Sequence, residues 1–100
     1  MSESPLKQMR RNAETVSDFL KSLANENRLL VLCALLEGEQ SVSELNAHVD
    51  LSASALSQHL AWLREGGLVQ TRREAQTIYY SLADARVKDV LALLKKLFCQ

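Results

Sequence analysis

Cysteine is scarce, with only Cys33 and Cys99 in 100 residues. A small secreted chain held by disulfides carries more. The pair therefore reads as two thiols in a reducing compartment, or as a transient redox pair. Proline occurs once and glycine three times, and no low-complexity tract interrupts the chain. That composition argues against a linker or a disordered segment. The longest unbroken apolar run, Leu29 to Leu36, is eight residues, whereas a bilayer span needs about twenty. Nothing at the start reads as a signal peptide, so a cytoplasmic protein without a membrane partner is expected. A Gly-rich phosphate loop is missing, as is an acid–base pair at recognisable spacing. An enzyme is not indicated. Excess charge of either sign is lacking too, since the net charge is zero, and this argues against a nonspecific coat for nucleic acid.

What is present is an ordinary globular balance, 47% apolar and 24% charged, in a length that makes one domain over residues 1–100. Charge is unevenly placed. Residues 1–50 hold five basic and eight acidic side chains, and residues 51–100 hold seven basic and four acidic. The second half is where a polyanion would be met.

The spacing of Val16, Phe19, Leu20 and Leu23 predicts a first helix over residues 8–23. Asn25 can cap a second, roughly 26–37, which is apolar nearly all round and so is expected to form the buried centre. Gly38 ends it. Ser41 and Glu44 have capping-box spacing for a third helix to about Val49. After a turn at Asp50 and Leu51, Ser52 caps a fourth helix that stops at Gly66–Gly67. The period then changes. "LVQTRREAQTIYYSL" reads as a hairpin, roughly 68–73 and 76–82, with "REAQ" as its turn. Helical spacing returns over residues 85–98. The expected fold is mainly α with a small β-hairpin, in the order α-α-α-α-β-β-α. It is a winged helix-turn-helix.

The fourth helix, within "LSASALSQHLAWLREGG", carries its chemistry on the polar side. Leu56, Leu60 and Leu63 fall within about 60° of one another at 100° per residue. Ser54, Ser57, Gln58 and Ala61 lie opposite. Small side chains allow close backbone approach to a major groove. Gln pairs bidentately with adenine, and Ser bonds several base edges. Ser52 and the free amides of the helix start suit a phosphate. Against this stands an ordinary solvent face of low charge. The short capped helix before it and the basic hairpin after it favour double-stranded DNA. The hairpin offers Arg72, Arg73 and Gln76 to phosphates or a narrow minor groove, or else forms a solvated turn with Arg paired to Glu74. His59, at the border of the polar face, either touches DNA or caps a neighbouring loop. Trp62 reads as a packing residue at the domain edge.

"LKSLANENRLLVLCALLEGEQSVSEL" and "LSASALSQHLAWLREGGLVQTRREAQTIYYSL" together resemble the ArsR/SmtB family of bacterial repressors over nearly the whole chain. The resemblance implies a homodimeric winged-helix transcription regulator that releases its operator on sensing a metal or another chemical signal. The family's metal sites do not carry over. Where arsenic- and cadmium-type members hold cysteine, this chain has Asn46, Ala47 and His48. Of the C-terminal zinc site, Asp84 matches, but Arg86, Leu97 and Gln100 occupy the other positions, and none suits zinc. No metal or other cofactor is expected.

Cys33 and Cys99 resemble instead the thiol-sensing branch of the family. That resemblance implies an intrachain disulfide or polysulfide link formed by reactive sulfur or oxidants. The residues alone leave open that Cys33 is a small core hydrophobe beside Leu29, Leu32 and Leu36. Helices 1 and 5 each carry an apolar stripe and are expected to form the dimer. Its two-fold axis would match a pseudo-palindromic operator. Two alternatives remain: a regulator of this type with structural cysteines, and a winged-helix module that binds protein.

Overall fold

A computed structural model describes residues 3–99. Helix α1 spans Pro5–Leu23, α2 Glu26–Leu36, α3 Val42–His48, α4 Ala53–Glu65 and α5 Ala85–Phe98. Strand β1 is Gln40–Ser41, β2 Val69–Glu74 and β3 Thr77–Leu82. The three antiparallel strands lie in the order β1-β3-β2.

Helix α1 begins three residues ahead of its sequence expectation. The cause is capping: the Lys7 amide donates to Ser4 Oγ at 3.2 Å, and Pro5 takes the first turn, where its missing N–H costs nothing. The other caps fall where the sequence places them. The Arg28 amide donates to Asn25 Oδ1 at 3.0 Å, and the Ala55 amide to Ser52 Oγ at 3.1 Å. The box at α3 is complete, with Glu44 N–H to Ser41 Oγ at 3.2 Å and Ser41 N–H to Glu44 Oε1 at 2.9 Å.

Strand β1 was absent from the sequence expectation. Two residues carry no readable period, and Ser41 serves both as strand and as cap of α3. This links the sheet directly to the helix-turn-helix. The hairpin also reaches further than expected: Glu74 pairs with Thr77, leaving only Ala75 and Gln76 in the turn. Ala75 takes a φ of 56°, a region L-residues rarely occupy outside turns.

The fully enclosed core is built from Leu and Val alone, which fits the low aromatic content. Leu32, Leu45, Leu56, Leu60, Leu63 and Leu91 are its largest members. The centre of the fold is α2, but it is not buried all round. Val31, Leu32 and Leu35 enter the core, while Leu30 and Cys33 are exposed. Apolar character on every side of a helix leaves its inward face undetermined, and α5 leaves part of that side uncovered.

Arg28 ties three helices together. Its Nε donates to Ser22 O at 3.0 Å and its Nη2 to Lys21 O at 3.3 Å, satisfying carbonyls at the end of α1. Its guanidinium carbon stands 4.1 Å from the centre of the Trp62 ring on α4. Arg28→Ala should therefore lower unfolding free energy by about 1–2 kcal/mol, from lost cation–π and C-terminal capping contacts. A urea midpoint equal to that of the parent chain, at the same slope, would show that the bridge contributes nothing.

Candidate nucleic-acid interface and cysteine groove

Leucine burial decides which way α4 faces. Leu56, Leu60 and Leu63 are fully buried. Ser54, Ser57, Gln58 and Ala61 consequently stand exposed on the opposite side. His59 is half-buried at the border. Ser52 Oγ accepts from the Ala55 amide and lies 3.4 Å from Ser54 Oγ, and Ser52, Ala53 and Ser54 are all exposed, so the start of α4 is open at the surface. No carboxylate occupies α4 before Glu65, so the exposed surface of this helix presents donors and acceptors without repelling a polyanion.

The wing carries Arg72, Arg73 and Gln76, all exposed. The structure separates the two arginines. Arg72 is held by Glu39 and Glu74, with Nη2 to Glu39 Oε1 at 2.7 Å and Nη1 to Glu74 Oε2 at 3.0 Å. Its guanidinium hydrogen bonds hold the Glu39 carboxyl below the usual carboxylate range. The pairing of Arg with Glu74, weighed in the sequence, is present for Arg72. Arg73 has no hydrogen bond or ion pair among the described residues. Gln76 sits at the tip, in the turn itself.

Away from this surface, α2 and α5 enclose a groove of about 480 Å³. Leu29, Leu30, Leu36, Leu94 and Phe98 make its apolar walls, and both Cys33 and Cys99 line it. An exposed ion pair, Lys95 Nζ to Glu37 Oε1 at 3.1 Å, bridges the same two helices. Cys33 is thus exposed to the groove rather than sealed in the core. Partial burial pushes its thiol up, the neighbouring Cys99 adds to that rise, and Lys95 opposes it. The groove and its ion pair escaped the sequence reading. Leu29, Leu30, Cys33 and Leu36 share a helical face, but nothing local says what α5 lays against it.

Among the described residues, no three His, Cys, Asp or Glu side chains cluster as metal ligands. Asp84 caps α5, where its carboxylate accepts from the Arg86 amide at 2.9 Å and from the Arg86 side chain. Gln100 lies outside the described residues. Among the described residues, no helix is long and apolar enough to cross a membrane.

Residues 25–71 match the family described as "Bacterial regulatory protein, arsR family". The transcriptional activator HlyU of Vibrio cholerae is 53% identical over 95 residues, covering 95% of this chain and 88% of that protein. Reduced HlyU from the same organism superposes with a TM-score of 0.87 over 94% of this chain and 99% of its own. The transcriptional repressor BigR from Xylella fastidiosa gives a TM-score of 0.91 at 37% identity, covering 97% and 99%. A homodimeric winged helix-turn-helix DNA-binding domain from Mycobacterium bovis gives 0.74 at 31% identity, covering 96% and 87%.

Proposed function

The chain belongs to the ArsR family of bacterial regulatory proteins, and from that premise we propose that it binds an operator as a homodimer whose grip is controlled by Cys33 and Cys99. The observation that carries the DNA half is the exposed, carboxylate-free face of Ser54, Ser57 and Gln58 on α4. Gln58 and Ser57 read base edges in the major groove. Ser52 and Ser54 anchor phosphate at the helix start. Arg73 and Gln76 reach the DNA from the wing, and His59 stands close enough to the reading face to join them.

The dimer follows from unpartnered apolar side chains. Leu6, Met9 and Leu20 of α1 and Leu93 and Leu97 of α5 are all about half exposed or more. Burying them against a second copy enlarges the core of a short chain. The homodimeric neighbour supports this assembly. Two recognition helices related by a two-fold axis would then enter successive major grooves.

The thiol half is carried by the shared groove. A bond between Cys33 and Cys99 requires Cα atoms within about 7 Å, which draws the end of α5 against the middle of α2. The two thiols lose two protons and two electrons, taken up by a peroxide or a polysulfide. A polysulfide can also leave sulfur atoms between them. Only a thiolate attacks such a species. Cys99, exposed at the C-cap of α5, is the first to meet such a species, and Cys33 on α2 resolves the adduct. Because α5 is also interface, the bond shifts the partner's recognition helix. That a neighbour of this shape is described as reduced HlyU supports redox chemistry in such a chain.

The test is anisotropy of a promoter fragment against a scrambled one over a salt series. Log K falling steeply with log salt, with the promoter fragment bound more tightly, is the expected result. A flat salt dependence would favour a module that binds protein instead.

A further inference from the structure

The two wing arginines are adjacent in sequence and opposite in space, because successive strand residues leave opposite faces. Arg73 pairs with Ile78 and shares the face of Val69, which is buried toward the core. Arg72 pairs with Tyr79 and lies on the outer face. There its guanidinium carbon sits 4.8 Å from the centre of the Tyr79 ring. Nε donates to both oxygens of Glu39, at 3.2 and 3.1 Å, and Nη2 to Oε1 at 2.7 Å. Nη1 donates to Glu74 at 3.0 Å. Every guanidinium nitrogen is engaged, and two carboxylates flank the one cation.

Glu39 immediately precedes β1, at one edge of the sheet, while Arg72 is on β2 at the other edge. Arg72 therefore reaches across the central strand. Its anchor is rigidly joined to the helix-turn-helix, since Ser41 of β1 caps α3. The short β1–β3 ladder, Gln40 to Tyr80 and Ser41 to Tyr79, ties the hairpin to the same corner, and α3 packs beside β3.

We propose that Glu39 and Arg72 are positioning residues that set the tilt of the wing against the helix-turn-helix, leaving Arg73 as the wing's cation for DNA. The proposal rests on the DNA-binding reading above and deepens it. Glu39 is an anion beside a surface that receives a polyanion, so charge alone says that neutralising it should tighten DNA binding. If Glu39 instead holds the wing through Arg72, neutralising it should weaken binding.

The test uses the full chain and its promoter fragment, with affinities measured over a salt series for the parent, Glu39→Gln, Arg72→Gln, Arg73→Gln and the double variant Glu39→Gln/Arg72→Gln. Thermal melts check folding, which an exposed pair affects little. Glu39→Gln and Arg72→Gln should each weaken binding about three- to tenfold, with the double variant no weaker than the worse single one, as expected for a coupled pair. The slope of log K against log salt should stay that of the parent in these three and fall by about one in Arg73→Gln. The swap Glu39→Arg/Arg72→Glu should recover part of the lost affinity. Tighter or unchanged binding by Glu39→Gln, or a slope lower by about one in Arg72→Gln, would overturn the proposal. A parent chain with no salt-dependent DNA binding would instead remove the DNA reading on which it stands.

Discussion

Gln58→Ala and Ser57→Ala should each weaken specific operator binding by about 1–3 kcal/mol, a five- to 150-fold loss, if each side chain bonds a base edge. The effect is specific for two structural reasons. Both residues lie on the exposed side of α4, away from the fully buried Leu56, Leu60 and Leu63, so folding should be almost unchanged. Neither side chain is charged, so the salt slope should match the parent while discrimination between operator and scrambled DNA collapses. Alanine at both positions should abolish most of the specificity ratio. Titrations of both DNA fragments at one fixed salt concentration measure this. Operator binding equal to the parent in both variants would show that α4 is not the reader.

The second large effect concerns the thiols. Cys33→Ser and Cys99→Ser should each bind the operator like the reduced parent, because both positions are exposed to a groove that no residue of α4 lines. Each should also stay bound after polysulfide or peroxide treatment. The treated parent should lose affinity about five- to 150-fold, the range of a coupling free energy of about 1–3 kcal/mol. The reason is topological. Cys33 is on the central helix and Cys99 at the end of α5, so only a bond between them pulls on the interface helix. Normal release by Cys33→Ser, or linkage only between Cys99 residues of two chains, would sink the intrachain switch.

Much of this was legible in the chain because local chemistry set it. The caps at Asn25, Ser41 and Ser52 satisfy amides within three residues, and the Gly66–Gly67 stop is equally local. The leucine period of α4 named its exposed face directly. What escaped was non-local. Glu39 and Arg72 are far apart in the chain, and only the sheet order brings them together. Arg72 and Arg73 look equivalent as a dipeptide, and the strand register divides their roles. Cys33 could not be assigned to core or surface, since α2 is apolar on every side and the path of α5 decides which side stays open. Strand β1 is too short to show a period, yet it fastens the wing to α3.

A link between Cys33 and Cys99 should loosen the grip on DNA. The decisive measurement titrates the promoter fragment with parent protein, reduced and polysulfide-treated, while intact mass and peptide mapping are read on the same samples. Treated samples should hold monomer-mass chains with Cys33 and Cys99 joined, bind about fivefold or more weakly, and recover fully when a thiol reductant opens the link. Unchanged affinity in a sample whose two cysteines are demonstrably joined would contradict that loosening.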